Sequence, residues 1–165
     1  MLELRPASVA DGLEVWKMLH EIGPGENGFG NDGAAVPLSK FGEYLQTRVD
    51  MEAGLGLPSG HVPFTTFWLL DGERPLGISK LRHYLTPNLK KQGGHIGYCI
   101  RPSARGMGYG RELLRLTLKA ARDRSIAEVL VTINRGNLAS CRVAAANGGI
   151  LRNTENGVCY YIIPT

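Results

Sequence analysis

The residues whose types and spacing best suggest chemistry lie between positions 101 and 111. The segment reads Arg101-Pro-Ser-Ala-Arg105-Gly106-Met107-Gly108-Tyr109-Gly110, and Arg111 follows it. A glycine-rich turn that opens a helix suits phosphate, because glycine lets the backbone approach the ligand and the helix N-terminus adds about half a positive charge. Arg105 and Arg111 add mobile charge at the rim. The segment therefore predicts a site for a phosphate-bearing ligand.

The glycine spacing separates the known classes of phosphate-binding loop. A Walker loop needs GxxxxGK followed by Ser or Thr, which is absent here and disfavours ATP. A dinucleotide loop needs GxGxxG, whereas these glycines fall at 106, 108 and 110. It also needs an acidic residue at the C-terminal end of the next strand, and Glu128 stands at the opening of that strand. NAD is disfavoured for both reasons.

The hydrophobic pattern places this loop between a strand and a helix. Residues 95 to 100 predict a strand in which His95, Gly97 and Cys99 share one face, and Tyr98 lies on the other. From about residue 110 to 122 the apolar positions recur at helical spacing. A buried strand is predicted at 128 to 133, a short helix at 137 to 147 and a final hairpin at 150 to 163.

The first half of the chain predicts a strand at 2 to 5, two helices and a hairpin of strands. Ser8 or Asp11 is expected to cap the first helix, which Gly23-Pro24-Gly25 ends. Residues 23 to 37 are expected to form an irregular loop, and so are residues 86 to 93. The whole chain, 1 to 165, is predicted to be a single α/β (α+β) domain with a mixed, mostly antiparallel central sheet flanked by helices.

Two segments of the second half resemble the GNAT superfamily of N-acetyltransferases. The run Arg105-x-x-Gly108-x-Gly110 resembles the pyrophosphate motif R/Q-x-x-G-x-G/A of that family, in the same strand-loop-helix context. Asn137-Leu-Ala-Ser140 with Asn147-Gly148-Gly149 resembles the family's next helix. The resemblance spans about 95 to 149, and a run from Gly93 is similar to a bacterial subgroup of predicted acetyltransferases.

The resemblance implies a GNAT-like fold with acetyl-CoA as cosubstrate and a small-molecule or peptide amine as acceptor. It places a backbone amide near Ile100 against the oxyanion, and Asn137 beside the pantetheine, although Asn137 also suits a helix N-cap. The implied cofactor-binding residues are Tyr98, Cys99, Ile100, Arg105, Gly106, Met107, Gly108, Tyr109, Gly110, Arg111 and Asn137.

Acetyl transfer to an amine requires a neutral nucleophile. A lysine-like amine has a pKa of about 10.4, so a general base near neutral pH is useful. His95 is the first candidate, because it stands on the strand where the family commonly places its base, and Glu26 is the reserve. Ala144 replaces the tyrosine acid of many GNAT enzymes, so Ser140, one turn earlier, is the candidate proton donor. A structural histidine and a small packing serine are the alternative interpretations.

Composition narrows the class of protein. The net charge of +4 suits an anionic ligand, but no basic run or zinc-finger spacing suggests nucleic acid. The three cysteines are far apart and form no CxxC pair, which argues against a disulfide framework and a thiol metal site, and favours the cytoplasm. No apolar run reaches the ~20 residues of a membrane span. No metal and no membrane partner are expected.

Three alternatives stay open at this stage. The chain could be a non-catalytic sensor of acyl-CoA, or an N-acyltransferase for longer acyl chains if Gly97, Ala144 and Gly148 widen the acyl tunnel. The exposed edge of the last hairpin could also pair with a second copy, which leaves a homodimer open. The identity of the amine acceptor is not readable from any motif.

Overall fold

A computed structural model describes all residues from 1 to 165. The elements alternate between strands and helices, with short 3-10 turns at 32–35, 38–40 and 102–104. In chain order they are β1 (Leu2–Pro6), α1 (Leu13–Ile22), β2 (Gly25–Glu26), β3 (Phe29–Gly30), α2 (Phe41–Glu52), β4 (Phe64–Asp71), β5 (Arg74–Arg82), α3 (Pro87–Lys91), β6 (Ile96–Ile100), α4 (Tyr109–Asp123), β7 (Glu128–Asn134), α5 (Leu138–Ala146), β8 (Ile150–Glu155) and β9 (Val158–Pro164).

The main sheet has the strand order β1-β4-β5-β6, and each neighbouring pair is antiparallel. Helices α1 and α2 cover one face, where Trp68 and Ile78 are fully buried against Met18 and Leu45. Helix α4 covers the other face through a stripe that includes Leu114. The predicted α/β class, an antiparallel central sheet flanked by helices, is confirmed.

A second sheet, of order β7-β9-β8, is joined to the first mainly around His95. The His95 N–H donates to the carbonyl of Leu130 at 2.7 Å, while its own carbonyl accepts from Arg82 of β5 at 2.8 Å. No hydrogen bond joins the rest of β6, from Tyr98 to Ile100, to β7. The two strands are therefore separated beyond their point of contact, which leaves the far edge of β6 unpaired.

The predicted faces are confirmed for Gly97, Cys99 and Tyr98, whereas His95 lies before β6 and its ring contacts the backbone of β7. Cys99 packs among the residues of α1 and α2, and a Cβ on Gly97 would lie 3.3 Å from the ring of Phe29 on the same side. Tyr98 packs on the opposite side, near Gly110 of α4. This alternation decides which side chains of β6 meet the glycine-rich loop and which meet the segment before α2.

Three local expectations are wrong. Helix α1 has Gly12 at its N-cap without a side-chain cap, because the Asp11 carboxylate is buried and accepts from Arg5, the Ser8 N–H and the Trp68 indole. The segment 23 to 37 is not irregular throughout: β2 and β3 form a small hairpin there. The segment 86 to 93 contains α3, which Thr86 caps by accepting from the Leu89 N–H.

The outer strand of the second sheet, β8, is a free edge, and all six of its residues are exposed. This is the edge through which the sequence leaves a homodimer open, and that pairing stays a prediction. None of the helices combines the length and the apolar character that crossing a membrane requires.

Candidate active site

The glycine-rich loop connects β6 to α4 and depends on two left-handed residues. Gly106 has a φ of +78° and Gly108 a φ of +83°, a region that residues with a Cβ rarely adopt. A Cβ built on either glycine would have no atom within 4 Å, so the space in front of both is open. The chain therefore needs glycine here for backbone conformation, and an incoming group can approach the backbone closely.

Five consecutive amides of this loop have no partner in the protein. The N–H groups of Gly106, Met107, Gly108, Tyr109 and Gly110 take part in no hydrogen bond, whereas the N–H of Arg111 donates to the carbonyl of Gly108. The last two belong to the first turn of α4, whose fifteen residues align their peptide dipoles toward this end. The arrangement fits a pyrophosphate, which accepts several N–H donors and is favoured by the positive end of a helix.

An ion pair with α1 fixes the entrance of the loop. The Arg101 Nε donates to the Glu21 carboxylate at 2.6 Å, and the Ser103 N–H donates to the same carboxylate at 2.7 Å. Burial alone would raise the pKa of Glu21, but these hydrogen bonds outweigh it and lower the pKa to about 2. The loop thus leaves β6 in a fixed direction while its glycines stay exposed.

Arg105 is held in place and is not a mobile charge at the rim, in contrast to the expectation from sequence. Its Nε donates to the carbonyl of Ile100 at 3.0 Å, and its Nη2 lies 2.6 Å from the Glu26 carboxylate and 3.7 Å from the Cys99 sulfur. Burial raises the pKa of the Cys99 thiol, against a smaller opposing effect of Arg105. Arg111, by contrast, is exposed beside the loop, as is Met107.

The unpaired edge of β6 presents backbone groups toward β7. The odd-numbered residues of β6 direct their backbone groups to β5, as the bond from the Arg101 N–H to the carbonyl of Leu76 shows. The intervening Tyr98 and Ile100 therefore direct theirs to the open edge, where the Ile100 carbonyl accepts from the Arg105 Nε. An extended chain with amide groups could continue the sheet along this edge, next to the glycine-rich loop.

Helix α5 carries Asn137 and Ser140 at its start, and Ser140 neighbours the side chain of Tyr98 in β6. Asn137 caps the helix: its Oδ1 accepts from the Ser140 N–H at 3.3 Å, and its Nδ2 donates to the Ser140 Oγ at 3.0 Å. The Ser140 hydroxyl therefore keeps its own hydrogen free to donate. Ala144, one turn later, is fully buried in the core.

Tyr98 directs its phenol toward α5. The Tyr98 oxygen is buried and makes no hydrogen bond. Burial raises the pKa of Tyr98 to about 12, against a smaller opposing effect of the neighbouring Ser140. At neutral pH this phenol is protonated and has a hydrogen to donate.

The Nδ1 of the His95 ring is hydrogen-bonded to the backbone of β7. Its Nδ1 accepts from the N–H of Leu130 at 2.9 Å, so the neutral ring carries its hydrogen on Nε2 and has no second lone pair for a proton. Burial, with Arg82 and Lys90 nearby, lowers the pKa of His95. This geometry favours a histidine that fixes β6 against β7 over a histidine that removes a proton from substrate.

The hairpin of β2 and β3 lies over the opposite face of β6. The Asn27-Gly28 turn places Phe29 against Gly97 and Glu26 against Arg105. The Glu26 side chain is half-exposed. The structure thus brings Glu26, Arg105 and the end of β6 together on this side, while Ser140 lies beside Tyr98 on the other.

A charged cluster that sequence reasoning missed stands beside this hairpin. Lys80 of β5 pairs across the sheet with Gly97, and its Nζ donates to the carbonyl of Gly30 at 2.9 Å. The Asp32 carboxylate lies 3.9 Å from that Nζ and 3.0 Å from the guanidinium of Arg48. A lysine inside the strand pattern of residues 74 to 82 was the available signal, since a charged residue on a covered strand face needs a partner or a ligand.

Comparisons with known proteins agree with this arrangement. The family model for the acetyltransferase (GNAT) domain matches residues 36–150. A search of curated proteins by sequence finds no match. Many solved structures share the fold. Ribosomal-protein-S5-alanine acetyltransferase from Vibrio fischeri superimposes with a TM-score of 0.71 at 15% identity, over 99% of this chain and 92% of that one.

Two further structures carry ligand or substrate names. The N-acetyltransferase PseH of Campylobacter jejuni, in complex with acetyl coenzyme A, gives a TM-score of 0.65 at 11% identity, over 100% and 99% of the two chains. Mutant forms of the spermidine/spermine N-acetyltransferase SpeG of Vibrio cholerae give a TM-score of 0.64 at 13% identity, over 99% of this chain and 95% of that one. At these identities the likeness concerns the fold, and the family match concerns the sequence. The family match over most of the sequence shows that the chain belongs to the GNAT acetyltransferase family.

Proposed function

We propose that this protein transfers the acetyl group of acetyl-CoA to a primary amine by direct attack of the amine on the thioester. The observation that carries the proposal is the row of five unpaired N–H groups from Gly106 to Gly110 at the start of α4. A pyrophosphate is the ligand chemistry that such a row favours, and CoA supplies one. Acetyl-CoA would also supply the activated acyl group.

The unpaired edge of β6 suits the amide-rich arm of CoA. The outward backbone groups of Tyr98 and the N–H of Ile100 would hydrogen-bond the arm as an added strand does, while the Ile100 carbonyl already accepts from the Arg105 Nε. The resemblance assigns Asn137 to the same arm. An N–H near Ile100 would then donate to the carbonyl oxygen on which negative charge develops, which is the usual means of lowering the barrier to acyl transfer.

Glu26 is the better placed of the two candidate bases. Its half-exposed carboxylate lies on the hairpin that covers Gly97; one oxygen pairs with Arg105, and the other can accept a proton directly or through water. His95 would first have to give up its hydrogen bond from the Leu130 N–H. We therefore propose Glu26 as the base and His95 as the residue that positions β6.

The leaving thiolate requires less help. A thiol has a pKa of about 8.5, so its anion leaves readily near neutral pH. Ser140 has a free hydroxyl hydrogen at the β6 edge and is the proposed donor to that thiolate. The protonated Tyr98 phenol is a second donor nearby.

Longer acyl chains are disfavoured by the packing around two of the three small residues, Gly97 and Ala144, while the space beside Gly148 is open. The space beside Gly97 is filled by Phe29, whose ring lies 3.3 Å from the position of a Cβ, and Ala144 has no exposed surface. Acetyl is therefore the proposed acyl group.

The test is ligand binding followed by turnover. CoA and acetyl-CoA should raise the thermal midpoint of the folded protein, while NAD and ATP at equal concentration should not. Release of free thiol from acetyl-CoA in the presence of a mixture of primary amines should then exceed release without amine. Turnover on any amine excludes a non-catalytic sensor, and the absence of a CoA shift would refute the assignment of the loop.

A further inference from the structure

The face of the main sheet under the β2–β3 hairpin carries more positive than negative charge. Lys80 and Arg82 project from β5 on this face, and Arg48 of α2 packs over the ring of Phe64, the cross-strand partner of Arg82. Asp32 is the one carboxylate that contacts Lys80 and Arg48. Glu26 is already paired with Arg105.

Arg82 makes the imbalance clearest. It is half-buried and forms no ion pair, since its Nη1 donates only to the carbonyls of Gly93 and Gly94, at 3.2 and 2.9 Å. Burial and the charges of Arg48 and Arg82 lower the pKa of Lys80 against the opposing pull of Asp32. A partly buried site with excess positive charge is costly unless an anion completes it.

Several polar atoms around this charge lack a partner in the protein. The Arg48 Nε, the Thr66 Oγ1 and the Tyr44 hydroxyl are all buried and make no hydrogen bond. Thr66 is the cross-strand neighbour of Lys80, so the two side chains stand about 5 Å apart on one face. Donors without partners beside excess positive charge are what an anionic group needs.

The cluster lies where an acceptor would have to bind. Lys80 is paired with Gly97, one residue before Tyr98, whose backbone faces the proposed acyl-transfer edge. The Lys80 Nζ also lies 5.2 Å from the ring centre of Phe29, on the hairpin that carries Glu26. A molecule that presents an amine to this edge from the hairpin side would therefore bring its neighbouring groups to Lys80.

On the basis of the proposed acetyl transfer, we infer that the acceptor is an amine that also carries an anionic group, a carboxylate or a phosphate, and that Lys80 binds that group. Thr66 and Arg48 would provide further donors. The same charge repels a polyamine, because each additional ammonium adds repulsion without a carboxylate to bind it. Lys80 is thus a specificity-determining residue.

Matched pairs of amines test the inference and distinguish its two sources of anion. Amino acids are compared with their carboxamides, O-phosphoethanolamine with ethanolamine, and spermidine is added as a polycation. Values of kcat/KM are corrected for the neutral amine fraction of each compound. The anionic member of at least one pair should be preferred at least tenfold. Preference for an uncharged amine or for spermidine would overturn the inference.

Variants of Lys80 assign the preference to this residue. Lys80→Met keeps the apolar stem against Phe29 and should reduce the preference about tenfold, whereas Lys80→Arg should keep most of it. Lys119→Met, on the exposed face of α4, is the control and should leave the preference unchanged. An equal preference in wild type and Lys80→Met would also overturn the inference.

A binding measurement covers the case in which no amine of the panel reacts. With CoA saturating, malonate or inorganic phosphate should raise the thermal midpoint of the wild type and of Lys119→Met, but not of Lys80→Met. The absence of any anion shift in the wild type, with the CoA shift intact, overturns the inference while leaving the proposed function standing. Absence of the CoA shift itself would refute the proposed function instead.

Discussion

Gly108→Val is the substitution that tests the central site most directly. Gly108 caps α4 in the left-handed conformation, with φ +83° and ψ −4°, and the space where a Cβ would project is open. The Cβ of a valine would therefore meet no protein atom, but the residue would be strained in this conformation and would project toward any group that approaches the loop amides. The strain should cost about 1 to 3 kcal/mol of folding free energy.

The effect on binding can be separated from this strain by a matched control. Gly60, in the segment before β4, has a φ of +79° and equally open space around its Cβ position, but it lies outside the glycine-rich loop. Gly60→Val should lose a similar amount of stability and keep its response to CoA. The two variants differ only in which loop carries the side chain.

The magnitude follows from linkage. CoA at 100 times its dissociation constant stabilises the folded protein by about 2.7 kcal/mol, which raises the midpoint by about 5 to 11 °C in a domain of this size. Thermal unfolding with and without CoA should show that shift in the wild type and in Gly60→Val, and little or none in Gly108→Val. If a folded Gly108→Val protein shows the full CoA shift, this loop is not the pyrophosphate site.

Three further outcomes follow from the site. Glu26→Gln should lower kcat at least tenfold while Ser140→Ala lowers it less, because the thiolate leaves readily and the amine must lose a proton; the reverse order in acetyl-transfer assays would contradict this assignment. Burial lowers the pKa of His95 in the folded protein, so the imidazole binds a proton more readily in the unfolded chain than in the folded one. The folded state should therefore lose stability as the pH falls below about 6.5. In His95→Ala the thermal midpoint should be lower than that of the wild type near pH 7.5, and it should fall less as the pH is lowered. The profile of acetyl-transfer rate against pH should keep its shape. If one limb of that profile is missing in the variant, His95 is the base instead. Tyr98→Phe should not lower the thermal midpoint, since the phenol has no partner to lose, and a drop of several degrees would reveal a hydrogen bond that the structure lacks.

Local signals in the sequence explain most of what could be predicted. The glycines of the loop, the helical stripe of α4 and the alternation of β6 are each encoded within a short window, and the fold confirms the elements that they predict. The hairpin was missed although its signal is equally local: Asn27-Gly28 between short flanks is a typical two-residue hairpin turn. The cap of α3, Thr86 followed by Pro87, is local in the same way.

Contacts between distant residues could not be read from the sequence. Asp11 has the chemistry of a helix cap, but the Trp68 indole, 57 positions away, binds its carboxylate in the interior. His95 has the chemistry of a base, but the backbone of Leu130 occupies its Nδ1. Glu26 and Arg105 are both visible as candidates, yet their ion pair depends on how the hairpin lies over β6. In each case the residue type shows which interactions a side chain can make, and the tertiary contacts determine which of them it makes.

The charge beside the hairpin connects the choice of acceptor to the chemistry of transfer. An amine attacks only when neutral, and each unit by which its pKa falls corresponds to about 1.4 kcal/mol of electrostatic or desolvation free energy. Lys80, Arg48 and Arg82 disfavour an ammonium near β6. The pKa of Lys80 itself is lowered first by burial and then by Arg48 and Arg82, against the opposing effect of Asp32. An acceptor with its own anionic group gains attraction from these cations while its amine is still driven toward the neutral form. Glu26 then has to remove only the proton that the attacking amine loses on transfer. A polyamine has no anionic group for these cations to bind, so it would be repelled by the same charge.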